Sequence, residues 1–211
     1  MKHEELNNAL KKCFEDKGKR KFTQSVEFIM NFGGVDFSKQ DKKLNLSIVL
    51  PNGTGKTMKV AVFADGNMAL DAKKAGVDLV MSVDEMADLS KDRPRLKKLM
   101  VDHVFFAQPS LMMQVGKNLG QIMGTREKLP KPIVGGTIEK LAEEAKRTIK
   151  IKTKGKYLPV LACIVGTENM EEEKISENII EVYETVLNTV GKHFVKSAYV
   201  KLTMGKPVKV F

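Results

Sequence analysis

The sequence predicts a mixed chain, with an α+β segment at each end and an α/β segment between them. In the terminal stretches apolar and polar residues alternate, as they do on strands with one buried face. From about residue 60 the pattern changes to short apolar strands separated by helices, which is typical of parallel strands covered on both faces. We therefore expect one domain built from two separated segments around an insertion, although a single continuous domain would give a similar pattern.

The N-terminal segment is predicted to hold one helix followed by strands. Apolar residues recur at helical spacing over residues 6–14, and the helix should end near Gly18. Alternating apolar residues then predict strands over residues 26–32 and 44–50.

The stretch PNGTGKT, residues 51–57, raises the question of nucleotide binding. A phosphate-binding P-loop needs Gly, four residues, then Gly-Lys-Ser/Thr, followed by a helix. Gly55 and Lys56 fit, but Leu50 stands where the first Gly is required, and residues 58–63 have the pattern of a strand. A turn between two strands is the favoured interpretation.

In the middle of the chain, apolar strands are predicted at residues 60–64, 79–82 and 104–108. Ser82 and Glu85 have the spacing of a capping box at the start of a helix. A later helix should end at Gly124, and Thr137 should cap another that runs to about residue 148.

The C-terminal segment returns to alternation, with strands near residues 149–152, 158–165 and 197–204 and a long helix from about residue 171 to 190. On the last strand one face is predicted to be core and the other polar. The core face comprises Ala198, Val200, Leu202 and Met204; the polar face comprises Ser197, Tyr199, Lys201 and Thr203.

The charge balance favours polyanionic partners. The 36 Lys and Arg residues against 26 Asp and Glu give a formal net charge of +10, so nucleic acid is the first candidate and an anionic membrane surface the second. Basic residues concentrate at 17–21, 150–156 and 201–209. No apolar run is long enough to span a bilayer and the N-terminus lacks the apolar core of a signal peptide, which favours a cytoplasmic location.

The sequence offers no positive case for an enzyme, a metal site or a cofactor. The three histidines are isolated, and His103 precedes a strand that should be buried, where packing or capping is its expected role. Cys13 and Cys163 lie on apolar faces and are predicted to be buried free thiols.

Five stretches in the correct order over nearly the whole chain resemble the ribosomal protein L-one family, archaeal type. They are KFTQSVEF (21–28), VLPNGTGK (49–56), LGQIMGTREKLPKP (119–132), VGTENM (165–170) and SAYVKLTMGKPVKV (197–210). The resemblance implies a discontinuous RNA-binding domain, residues 1–64 and 154–211, and an inserted Rossmann-like α/β domain, residues 65–153. It also implies that PNGTGKT joins strands and binds no nucleotide.

The function implied by the resemblance is that of a structural constituent of the large ribosomal subunit, monomeric when free of the ribosome. Its partners would be the stalk of the large-subunit rRNA, the exit-site tRNA whose release it assists, and its own mRNA, whose translation it represses. The implied RNA-contact residues are Phe22, Ser25, Glu27, Lys152, Lys154, Ser197, Thr203, Met204 and Gly205.

Each contact residue has an expected role. The hydroxyls of Ser25, Ser197 and Thr203 are expected to hydrogen-bond to sugars and phosphates. Met204 would pack on nucleotides, Gly205 would allow close backbone approach, and the two lysines would attract phosphates. Glu27 would accept a hydrogen bond from an RNA hydroxyl or orient a neighbouring Lys.

The chain departs from the family pattern in two places. The family usually has Gly-Pro-Arg-Gly where this chain has Gly-Thr-Arg-Glu at 124–127, and Lys206 follows the terminal Gly where Pro is common. Two other readings stay open: a nucleotide-dependent enzyme built on the central α/β segment, and a basic DNA-binding protein.

Overall fold

A computed structural model of the chain describes residues 3–35, 44–56, 58–134, 137–152 and 158–211. The chain divides into two compact units. The terminal unit comprises Met1–Lys56 and Arg147–Phe211, and the central unit comprises Thr57–Lys146. Strands pair antiparallel in the former and parallel in the latter, so the predicted mixture of the two kinds of strand pairing is confirmed.

The regular elements follow one another in chain order. The helices are α1 (His3–Glu15), α2 (Asn67–Lys74), α3 (Val83–Lys91), α4 (Arg93–Asp102), α5 (Met112–Thr125), α6 (Ile138–Arg147) and α7 (Glu172–Val190). The strands are β1 (Ser25–Phe32), β2 (Asn45–Val49), β3 (Lys59–Phe63), β4 (Leu79–Met81), β5 (His103–Ala107), β6 (Lys131–Pro132), β7 (Thr148–Lys152), β8 (Val160–Thr167), β9 (Val195–Leu202) and β10 (Val208–Lys209).

In the terminal unit, a four-stranded sheet has the order β10-β9-β1-β8. Its inner face packs on α1 and α7, because alternate residues of each strand are apolar and point to the same side. Val26, Phe28 and Val200 are completely buried there. The seam of α7 predicted from its apolar spacing, which includes Ile175 and Val186, is buried in the same core. Strands β2 and β7 form a separate antiparallel pair.

In the central unit, the parallel sheet has the order β4-β3-β5-β6. Its central strands are apolar on both faces, and each face has its own buried cluster. Helices α3, α4 and α5 cover one face, and α2 and α6 cover the other. This arrangement is what alternating strands and helices predict.

The unit boundaries differ from the predicted ones at residues 64/65 and 153/154. Strand β3 pairs with β4 and β5 and so belongs to the central unit, whereas β7 pairs with β2 and belongs to the terminal unit. Both predicted boundaries lie too far along the chain, because the hydrophobic pattern of a strand does not reveal which strand it pairs with.

Residues that favour helix ends predicted the start of α3 and, within one residue, the end of α5. Ser82 and Glu85 form the predicted capping box. Helix α5 continues one residue past Gly124, to Thr125, and then closes in a Schellman arrangement. The Lys128 N–H donates to the Met123 carbonyl and the Glu127 N–H to the Gly124 carbonyl, each at 3.0 Å.

The histidine and the two cysteines singled out in the sequence are wholly or partly buried. His103 is buried, with Nδ1 3.1 Å from the Leu99 carbonyl. Both cysteines are free, Cys13 buried and Cys163 half-buried, and burial raises the pKa of the Cys163 thiol to about 12. Across the part of the chain that the structure describes, there is no group of three potential metal-ligating side chains and no helix able to span a bilayer.

Candidate nucleic-acid interface

The outer face of the terminal sheet carries the polar residues predicted for an interface. Glu27 on β1 lies opposite Lys201 on β9. The Lys201 Nζ is 3.8 Å from the Glu27 Oε2, and both side chains are half-buried. Of the two roles expected for Glu27, the structure therefore fits the pairing with a neighbouring lysine.

Thr203 is joined to the first residue of β1. Its Oγ1 accepts a hydrogen bond from the Ser25 N–H at 3.0 Å and donates one to the Ser25 carbonyl at 3.2 Å. The same carbonyl also accepts from the Thr203 N–H at 3.1 Å. A hydroxyl has one hydrogen to donate and two lone pairs. Thr203 therefore keeps one lone pair, which can accept a hydrogen bond from an RNA 2′-OH. Its hydroxyl proton is already used in the bond to Ser25 and is not available to a ligand.

Gln24 binds the backbone of Met204, the residue after Thr203, and the sequence did not predict this role. Its side chain is only 1% exposed. The Oε1 accepts from the Met204 N–H at 3.2 Å, while the Nε2 donates to the Lys17 carbonyl at 2.8 Å and to the Glu168 Oε2 at 3.3 Å. One buried amide thus connects three loops of the terminal unit. The TQS tripeptide within KFTQSVEF gave no indication of this, because a Gln between two hydroxyl residues also fits an exposed strand end.

Two large apolar side chains flank the polar residues and are exposed to solvent. Phe22 is 50% exposed and Met204 is 59% exposed. The prediction that Met204 continues the core face of the last strand is wrong. Strand β9 ends at Leu202, and the Gly205 N–H donates to the Leu202 carbonyl at 3.0 Å, so the chain turns and Met204 leaves the core. Exposure is what contact with a nucleotide requires.

Gly205 lies in a tight place within this turn. A Cβ added to it would be 3.2 Å from the Leu202 Cβ. A side chain at residue 205 would therefore crowd Leu202, which would have to shift by a few tenths of an ångström.

The other predicted contact residues lie on different parts of the terminal unit. Ser197 is half-buried on β9, and its Oγ accepts from the Asn31 Nδ2 at 3.1 Å. Lys152 is exposed at the end of β7, in the separate β2–β7 pair. Lys154 lies outside the described residues.

The PNGTGKT stretch joins β2 to β3, and its described residues fold onto α7. Asn178, which is completely buried, accepts from the Asn52 N–H at 3.1 Å and donates to the carbonyls of Gly53 and Val165, both at 2.8 Å. A Cβ on Gly55 would be 2.5 Å from the Thr167 Oγ1. The loop is held by the protein interior and leads into a strand, so it lacks the geometry of a P-loop.

Comparison with known proteins identifies chains similar to this one along nearly its whole length. The model of the ribosomal protein L1p/L10e family matches residues 10–206. The chain is 42% identical to the large ribosomal subunit protein uL1 of Methanothermobacter thermautotrophicus over 98% of this chain and 99% of that one. It is 40% identical to the protein of the same name from Methanocella arvoryzae over the full length of both chains. The corresponding protein of Methanocaldococcus jannaschii is 39% identical, over 100% of this chain and 96% of that one.

Proposed function

The chain belongs to the ribosomal protein L1p/L10e family, and from this membership we propose that it is a structural constituent of the large ribosomal subunit that binds the stalk of the large-subunit rRNA. The terminal unit is the RNA-binding domain and the central unit is the inserted Rossmann-like domain. The ribosome of the cytoplasm is its place of action, and the free protein is a monomer.

One observation supports the terminal unit as the RNA-binding part. The turn at residues 203–205 is fixed by Ser25 and Gln24, so that an acceptor hydroxyl and the exposed Met204 are presented together. Folded RNA offers 2′-OH donors for the hydroxyl and base or sugar faces for the thioether. Because the turn is already ordered in the free protein, little conformational entropy is lost on binding.

Two further roles follow from the family and are part of the proposal. On the stalk, the protein assists the release of deacylated tRNA from the exit site. Away from the ribosome, it binds a mimic of the rRNA site on its own mRNA and represses translation. In both roles the terminal unit would bind the RNA, which is the rRNA stalk in the first role and its mimic on the mRNA in the second.

The test is a titration of the full chain against three nucleic acids at two salt concentrations: the stalk fragment of the rRNA, a scrambled hairpin and a DNA duplex of equal length. We expect tight binding to the stalk fragment that is retained at the higher salt concentration, because hydroxyl contacts are less sensitive to salt than phosphate contacts. Equal and steeply salt-dependent binding to all three would overturn the proposal.

A nucleotide-dependent enzyme is the function that the PNGTGKT stretch suggested, and nothing in the geometry of the described loop favours it. Its amide and carbonyl groups at Asn52 and Gly53 are already bound to Asn178.

A further inference from the structure

The exposed side of helix α4 in the central unit is strongly cationic. Arg93, Arg95, Lys97 and Lys98 are all exposed within six consecutive positions. None of the four side chains has an ion pair or a side-chain hydrogen bond to another described residue. The nearby Lys91, by contrast, pairs with Asp88 at 3.3 Å. We call these four residues the α4 cationic face.

This face is held rigidly by the apolar side of the same helix. Leu96 is 0% exposed and Met100 is 1% exposed, and both lie in the core cluster that covers one face of the parallel sheet. With about 3.6 residues per turn, Arg95, Lys97 and Lys98 lie on the sides of the helix that turn away from this core, and Arg93 is exposed at its first turn. The cations span residues 93–98, which is about 8 Å of helix axis, so with their long side chains they can meet two or three neighbouring phosphates.

Two carboxylates compensate these four charges in part, and Asp102 is four residues after Lys98, a spacing at which opposite charges attract. Asp92 caps its start, where the Oδ1 accepts from the Arg95 N–H at 3.1 Å, and Asp102 is its last residue. Arg93 and Lys97 are four residues apart, a spacing at which like charges destabilise an isolated helix. A polyanion would remove this repulsion and release its counterions at the same time.

We propose that the α4 cationic face is a second RNA contact, which binds the phosphate backbone without reading sequence. The proposal rests on the proposed function for the choice of RNA as the polyanion. A membrane surface fits less well, because the apolar side of α4 is buried in the protein and only Val101, 63% exposed, remains to enter a bilayer. The face also carries no aromatic ring on which a base would stack.

The test compares two variants of the full chain with equal loss of charge. The first carries Arg93→Gln, Arg95→Gln, Lys97→Gln and Lys98→Gln. The matched control carries Lys73→Gln, Lys74→Gln, Lys117→Gln and Lys140→Gln, which removes four exposed lysines from three other helices of the central unit. Gln has nearly the helix propensity of Lys and Arg, so both variants should keep their helices, which circular dichroism checks.

The probe is a short RNA duplex of unrelated sequence, and the readout is the slope of log affinity against log salt concentration. We expect the first variant to lose about 2 to 3 units of slope, because about 0.9 counterion is released for each phosphate contact, and the control to lose less than about one unit. An equal change in both variants, or no change in the first, would overturn the proposal.

A second measurement uses the unaltered protein and does not depend on the folding of a variant. Bound RNA duplex should slow the acetylation of Lys97 and Lys98 but not that of Lys73 and Lys74. Equal protection of both pairs, or protection of Lys97 and Lys98 by anionic phospholipid vesicles but not by RNA, would contradict the proposal.

Failure of this proposal can be told apart from failure of the proposed function. The α4 variant should still prefer the stalk fragment over the scrambled hairpin, because the terminal unit is unchanged. A wild-type protein without that preference would overturn the proposed function, and the duplex slopes would still decide on the α4 cationic face.

Discussion

The Thr203 hydroxyl and the Ser25 backbone form a reciprocal pair, in which Oγ1 accepts from the Ser25 N–H at 3.0 Å and donates to the Ser25 carbonyl at 3.2 Å. The pair joins the end of β9 to the start of β1, residues far apart in the sequence. Thr203 thus fixes the turn that presents Met204, and under the proposed function its remaining lone pair accepts a hydrogen bond from RNA.

Two replacements of Thr203 should separate the contribution of its volume from that of its hydrogen bonds, both to stability and to RNA affinity. Thr203→Val keeps the volume but loses both hydrogen bonds, and should lower the free energy of unfolding by about 1 to 3 kcal/mol and the RNA affinity by tenfold or more. Thr203→Ser keeps the hydroxyl and should retain most of both. Urea denaturation and titration with the stalk fragment measure the two effects. A Thr203→Val protein that binds like the wild type would remove Thr203 from the interface.

Gln24 should act as a positioning residue for the turn. Gln24→Met deprives the Lys17 carbonyl, the Glu168 carboxylate and the Met204 N–H of their partner. We expect a loss of about 2 to 3 kcal/mol in unfolding free energy and faster amide hydrogen exchange at Met204. The same substitution at the exposed Gln121 is the control and should change stability by less than about 0.5 kcal/mol. Unchanged exchange at Met204 in the Gln24 variant would refute the positioning role.

Asn178 should be essential for the PNGTGKT loop. Asn178→Ala removes three hydrogen bonds from a completely buried position, which should cost about 3 kcal/mol or more. Asn188 is exposed on the same helix, and Asn188→Ala should be neutral or stabilise by a few tenths of a kcal/mol, about the difference in helix propensity. Comparable urea midpoints for the two variants would show that the loop is not held as described.

Glu127 occupies a backbone position that favours glycine. Its φ of 54° is left-handed, and it follows Arg126, the cap of α5, in the Schellman arrangement. Glu127→Gly should therefore raise the free energy of unfolding by about 1 kcal/mol. Glu127→Ala keeps the backbone strain and should give no such gain. Thermal unfolding of the three proteins checks this, and a loss of stability on Glu127→Gly would mean that the side chain matters more than the backbone.

Much of the fold could be predicted because it depends on local signals. Apolar periodicity located α7 and β1, and the Ser82–Glu85 pair located the start of α3. The two-residue strands β6 and β10 were not predicted, since so short a stretch has no periodicity. The predicted unit boundaries were displaced because β3 pairs with β4 and β5 and because β7 pairs with β2, and neither choice of partner is visible in the pattern of one strand.

The candidate site was less predictable for the same reason. Alternation placed Ser197 and Thr203 on the polar side of the last strand, but it also placed Met204 in the core, because the end of β9 at Leu202 depends on a tertiary turn. Gln24 and Asn178 gave no sequence signal at all. Their importance lies in burial and in partners from distant segments, which a pattern along one chain does not contain.

The most direct test of the central claim is to titrate the isotope-labelled full chain with the stalk rRNA fragment and follow each backbone amide by NMR. We expect the largest shift changes at Phe22, Ser25, Glu27 and residues 203–205, with binding tight enough to saturate at equal concentrations. Changes concentrated at the carboxyl ends of β3 and β5 in the central unit, with residues 203–205 unaffected, would contradict the assignment of RNA binding to the terminal unit.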